Sequence, residues 1–161
     1  MNSACIILNR NVKKPTEKLY KYDLIYLVTN DVVIKNKFNP RKINDTFKKI
    51  PRLSILTPCS KDWPEYDIIK KNGLKFYWYL HNTTLILRKN FILDLCNFNK
   101  NSYKNFLYDG DNFRGYFADI ELVMKGYINN WASGITNELL IEENEDILKN
   151  NFKRIKTDSY E

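Results

Sequence analysis

The stretch from Asp23 to Ile34, DLIYLVTNDVVI, constrains the fold more than any other part of the chain. Leu24 to Val28 is apolar at every position, with no alternating polar residue. A strand of that kind must be covered on both faces, as the strands of parallel sheets are when helices lie above and below. The run is then broken once, by Thr29-Asn30-Asp31, before Val32-Val33-Ile34 resumes it. In an open α/β sheet, ligands sit beyond the carboxyl ends of the strands. A carboxylate at such an end can hold a cation or a sugar hydroxyl. It can equally form an Asx turn that does no more than end the strand.

The rest of the chain follows the same rhythm. ACIIL (4–8) reads as a short buried strand, and PTEKLYKY as a short helix with Pro15 near its start. LSIL (53–56) is a further strand, closed by the turn-rich TPCSKDWPE. LKFYWYL and TTLILR have the aromatic and β-branched content of strands. NFILDLCNF has Asn90 as its N-cap and Phe91, Leu95 and Phe98 at helical spacing. FADIELVMKG reads as a helix stopped by Gly126, and the tail from Asn137, acidic first and basic last, suits the dipole of a C-terminal helix. Strands alternating with helices over 161 residues predict one α/β domain, with a mixed, mostly parallel sheet flanked by helices.

Composition narrows the functional classes. Three scattered cysteines, Cys5, Cys59 and Cys96, fit reduced thiols better than a disulfide framework or a zinc site. No run of about 18 apolar residues is present, and MNSACIILNRN lacks the charged lead of a signal peptide. The expected setting is therefore cytoplasmic. The net charge of +7 is uneven: residues 35–52 carry seven Lys or Arg against one Asp, whereas residues 138–146 carry five acids and no base. The basic stretch can meet phosphates, an acidic membrane surface or nucleic acid, or can be a plain solvated loop and helix face.

A second informative stretch is DGDNFRGYFADIELVMKGYINNW. Asp109, Asp111 and Arg114 fall in a glycine-containing loop, and Asp119 and Glu121 open the helix after it. Carboxylates there are favoured by the helix dipole. Being two apart, they point to different sides, so one can face a crevice while the other binds backbone.

Taken in order, TNDVV, ILTPCS, FYWYLHNTTLILRK and NFRGYFADIELVMKGYINNW resemble a family 2-like glycosyltransferase with the GT-A (Rossmann-like) fold, and ACIILNRN is similar to that family's first strand and nucleotide loop. The likeness covers residues 4–14 and about 22–146. The family carries an Asp-X-Asp metal motif at a strand end; here Asn30-Asp31 matches it and Asp31 supplies its one carboxylate. A Gly-Tyr-X-Glu-Asp-like motif opens a helix, and Ala118-Asp119 matches that. Only fourteen residues, Asn9 to Tyr22, separate the first two strands, room for one crossover helix, so the chain reads as a shortened member.

The resemblance implies transfer of a sugar from a nucleotide-sugar donor to a hydroxyl of a glycan or lipid-linked acceptor, with inversion. It implies Mn²⁺ or Mg²⁺ held by Asp31, nucleotide contacts from Asn9, Arg10 and Asn30, Asp119 as base, and Glu121 orienting Asp119 or the acceptor. Trp78, His81, Asn112 and Arg114 are the candidate acceptor contacts. Each also has a plainer reading: turns at Asn9, Arg10, Asn112 and Arg114, a satisfied structural histidine at His81, and core packing for Trp78, Tyr79 and Trp131. Residues 35–52 offer a peripheral membrane contact. Two other classes stay open. One is a non-catalytic remnant. The other is a basic nucleic-acid-binding module drawing on Phe38 and Phe47, which lacks any recognised nucleic-acid motif.

Overall fold

The computed structural model describes residues 1–8, 21–29, 32–81, 83–95 and 118–144, without the side chains of 3–8 and 118. The strands are β1 (Ser3–Leu8), β2 (Leu24–Thr29), β3 (Val32–Ile34), β4 (Leu53–Cys59), β5 (Leu74–Phe76), β6 (Thr84–Arg88) and β7 (Ala132–Glu143). The helices are α1 (Pro40–Lys49), α2 (Tyr66–Asn72), α3 (Lys89–Leu95) and α4 (Ala118–Ile128). The strands form one sheet in the order β1-β2-β6-β4-β7-β3, with β5 also on β7. Among the described residues no helix is long and apolar enough to cross a membrane.

β2 is interior, between β1 and β6, as its unbroken apolar run requires. Its side chains alternate between two cores. Ile25 and Leu27 join Leu85, Leu87, Ile55 and Ile135 under α2, α3 and α4. Leu24, Tyr26 and Val28 join Ile86, Leu56 and Ile141 under Ile43 and Phe47 of α1. Among the described residues the sheet thus carries one helix on one face and three on the other.

Several expectations are corrected. The sheet is mixed but not mostly parallel: β1–β2 and β4–β7 are parallel, while β2–β6, β4–β6, β3–β7 and β5–β7 are antiparallel. β6 lies between β2 and β4, which share a direction, and runs against both, while the three-residue strands β3 and β5 each run against β7. LSIL continues through Thr57 and Pro58 to Cys59, whereas LKFYWYL is a strand only to Phe76. YDIIKKN, a stretch with no sequence-based expectation, is helix α2, closed by Gly73 at φ 74°. α3 starts at Lys89, so Asn90 sits inside its first turn instead of capping it.

α4 runs through Gly126 and ends at Ile128, beyond which Asn130 takes φ 60°. A Cβ at Gly126 would lie 3.4 Å from the Phe91 ring and 3.7 Å from both Ser54 Oγ and Trp131 Cβ, ordinary van der Waals distances, so the helix passes through this position without strain. The segment from Asn137 to Glu143 is the second half of β7 and not a helix, because Leu139 and Ile141 alternate into the α1 core. The helix expected in PTEKLYKY and the tail from residue 145 lie outside the described residues.

Arg88, at the end of β6, is buried. Its Nε donates to the Leu53 carbonyl at 2.8 Å, and its Nη2 donates to the carbonyls of Ile50 (3.0 Å) and Phe47. It thus closes the C-terminal end of α1, where the helix dipole is negative. Burial pulls its guanidinium below the usual arginine range.

Candidate functional site

Leu8 and Thr29 are register partners, so the parallel strands β1 and β2 end side by side. β4 and β2 are both antiparallel to β6, so β4 ends on the same edge, at Cys59. β6 begins there, and its approach is tied in by the Thr29 hydroxyl and N–H, both donating to the Thr83 carbonyl at 2.9 and 3.0 Å. Asn9, Arg10, Asn30 and Asp31 follow β1 and β2 in sequence but lie outside the described residues, as do Asn112 and Arg114. Asp109 and Asp111 do too.

The loop after β4 and the segment before β6 bring a compact group together. Glu65, directly before α2, is 4% exposed. Its Oε1 accepts from the Tyr79 hydroxyl, and its Oε2 faces His81 Nε2 at 3.6 Å, too far for a hydrogen bond. Among the described residues neither Oε2 nor Nε2 has a hydrogen-bond partner. His81 lies flat on Trp63, with ring centroids 3.6 Å apart and planes 19° apart. Tyr79 also touches Trp78 (4.8 Å) and Tyr77 (5.8 Å) edge to face. Trp78 is 60% exposed. Two expected site residues, Trp78 and His81, therefore belong to one cluster.

Burial pushes the Glu65 carboxyl up, but the Tyr79 hydroxyl, its own backbone N–H and the imidazole outweigh this and hold it below its usual value of 4.5. Tyr79, donating to that carboxylate, is pushed up to about 12. Cys59 is fully buried, and its thiol is pushed up to about 11 by burial and by the Glu65 charge, which makes it an inert core group.

A depressed carboxyl adds stability that is fully present above its ordinary value and is lost as pH falls through the folded one. Glu65→Gln is expected to melt below the parent at neutral pH, by about 1.5–3 kcal/mol for a lost charge-assisted bond. The gap should close as the pH falls below the usual carboxyl value of 4.5. Melting curves across that range check it, and a gap that stays constant would contradict the assignment.

Asp119 is half-buried in the first turn of α4. Among the described residues it has no ion pair or hydrogen bond. A three-residue turn, Asn129–Trp131, reverses the chain from α4 into β7, and Ala132 N–H donates to Arg52 O at the start of β4. α4 packs on β7 and therefore runs back over the sheet for about 16 Å, which carries its first turn toward the edge where β4 ends. Glu121 is ion-paired with Lys125 on the same helix. Trp131 is buried core, donating from Nε1 to Asp94 at 2.9 Å under the Arg52 guanidinium. Among the described residues no three His, Cys, Asp or Glu side chains converge as a metal site.

The charge blocks meet in space. Lys35 pairs with Glu142 (2.7 Å) and Lys42 with Glu138 (2.9 Å), while Lys48 pairs with Asp45 (3.8 Å). Arg52 is taken up by the carbonyls of Asn129 and Asn130 at the end of α4. Much of the basic run is thus neutralised within the fold. No protein-family model, no curated protein and no solved structure gives a significant match to this chain.

Proposed function

We propose that the chain is a glycosyltransferase-like protein that takes a sugar from a nucleotide-sugar donor and passes it, with inversion, to an acceptor hydroxyl. The observation that supports this reading is the shared end of β1 and β2 at Leu8 and Thr29, joined on the same edge by the end of β4. Sheets of this class bind ligands beyond such ends. Asn9, Arg10 and Asn30 are the proposed nucleotide contacts.

A sugar leaving its diphosphate passes through an oxocarbenium-like state, and charge builds on the departing phosphate. A bound divalent cation would offset that charge. Asp31 is the residue to hold it, since a lone carboxylate beside diphosphate oxygens is the oxygen-rich donor set that Mn²⁺ and Mg²⁺ accept. Asp119 is the proposed base. Its carboxylate, without a partner among the described residues, takes the acceptor proton while the hydroxyl oxygen attacks opposite the leaving group. Glu121, fixed by Lys125, is a positioning residue for the acceptor. Lys37, Arg41 and Lys49, which have no carboxylate partner among the described residues, are the proposed contacts with an anionic membrane surface.

Calorimetric titration with UDP- and GDP-sugars, with and without Mn²⁺, tests the reading. Binding is expected only with the cation, and Asp31→Ala should weaken it roughly tenfold or more. Metal-dependent binding that Asp31→Ala leaves unchanged would remove Asp31 from the site.

A further inference from the structure

His81 is the chain's one histidine, and three groups of the cluster hold it. Trp63 covers one ring face, and Tyr79 stands edge-on 6.0 Å away. The Glu65 carboxylate faces Nε2, with no hydroxyl or amide to complete the second carboxylate oxygen. A negative charge there favours the tautomer with its proton on Nε2, which leaves the lone pair on Nδ1. Nδ1 is not enclosed, and it has no partner among the described residues. The other titratable groups around the pair are Tyr77, Tyr79 and Cys59. Burial, with the Glu65 charge second, raises the pKa of Cys59 and Tyr77, and the hydrogen bond to Glu65 raises that of Tyr79, so all three stay neutral beside it. Trp78 stands beyond Tyr79, with most of its surface in solvent. A fixed hydrogen-bond acceptor thus lies one aromatic ring away from a large exposed indole.

We propose that His81 and Trp78 form a binding subsite for a pyranoside. Nδ1 accepts a hydrogen bond from a ring hydroxyl, and the indole covers the apolar C–H face of the sugar. Glu65 and Tyr79 are positioning residues that hold the imidazole and its tautomer. The identification of this sugar as the acceptor rests on the transferase reading; the subsite itself rests on the cluster. It selects a glycan acceptor over an aliphatic alcohol, because only a ring offers both a stacking face and a hydroxyl at its rim. Donation to Nδ1 makes Nε2–H more acidic, which draws it toward Glu65 and shortens the 3.6 Å gap to hydrogen-bond length.

The test uses the full chain with ¹⁵N-labelled histidine, without metal or nucleotide, titrated with methyl glucoside, galactoside and mannoside and, as control, with 1-butanol. A single histidine makes its two ring nitrogen signals unambiguous. The free chain should show the Nε2–H tautomer. At least one glycoside should shift Nδ1 saturably in the millimolar range, while butanol leaves it unmoved. His81→Gln and Trp78→Ala should each weaken binding roughly tenfold, read for the first by saturation transfer to the glycoside. Glu65→Gln should weaken binding and let the other tautomer appear; Tyr79→Phe is the substitute should that variant fail to fold. No saturable shift up to about 50 mM, equal shifts with butanol, or undiminished binding by His81→Gln overturns the proposal. Glycoside binding without nucleotide-sugar binding would keep the subsite and end the transferase reading; the reverse would end the subsite alone.

Discussion

Arg88→Met is expected to lower the stability of the fold by about 3–5 kcal/mol, the range for removing one side of a buried charged network. Methionine keeps most of the volume and fills the space with an apolar chain. What it removes is the set of donors to the carbonyls of Phe47, Ile50 and Leu53. A buried carbonyl left without its donor loses roughly 1–3 kcal/mol, and bonds from a charged donor are at the upper end. Ile50 O keeps one partner, the Leu53 N–H at 3.0 Å, so the loss falls mainly on Phe47 and Leu53. The guanidinium also lies over the Phe47 ring, 5.1 Å from its centroid, a contact that methionine replaces only in part. At roughly 2–4 °C per kcal/mol for a chain of this size, the melting temperature should fall by about 6–20 °C. A change of a degree or two would show that α1 is held by Ile43 and Phe47 alone.

Asp119→Asn is expected to leave the melting temperature within a few degrees and to reduce transfer roughly 10²–10⁴-fold. The two effects separate because the amide keeps the size of the carboxylate, which has no hydrogen bond among the described residues to lose. Loss of charge near the helix N-terminus costs about 0.3–1 kcal/mol. The amide cannot take a proton from an acceptor hydroxyl, so a base role shows in turnover alone. Unchanged turnover would leave Asp119 as a dipole partner of α4. A collapsed melting temperature with proportionate loss of activity would mark it as structural. Glu121→Gln serves as the comparison: its tie to Lys125 predicts a smaller loss, in acceptor KM more than in kcat.

The parts of the fold that were legible in the sequence are those decided by a local pattern. Leu24 to Val28 announces an interior strand because no polar residue breaks it, and β2 does lie between two neighbours. Residues 35–52 read as a solvated loop and helix face, and α1 occupies 40–49 of them, with Ile43 and Phe47 forming a buried stripe that was not singled out from the sequence. What was not legible depends on partners far away in sequence. The run from Asn137 to Glu143 has the charge order of a helix, but its acids answer Lys42 and Lys35 across about a hundred residues, and its leucines and isoleucines alternate into a core built by α1. Gly126 looks like a stop, but its φ is not positive and α4 continues two residues beyond it to Ile128. Arg88 reads as the solvent end of a strand, and only the approach of α1's last turn makes its burial favourable. Glu65 was missed in TPCSKDWPE for the same reason. A lone acid in a turn-rich stretch carries no signal until Tyr79 and His81 arrive from the next strand connection. The nearest hint was WPE beside YWYLH, two aromatic clusters within twenty residues.

The proposed activity is measured most directly by following the anomeric proton. The chain is incubated with Mn²⁺, a panel of α-linked UDP- and GDP-sugars and the methyl glycosides, and the products are read by ¹H NMR. The account predicts a new disaccharide whose transferred sugar carries the anomeric configuration opposite to that of the donor, formed only with the cation and lost in Asp119→Asn. A product with retained configuration, free sugar alone, or no product with any donor would contradict it.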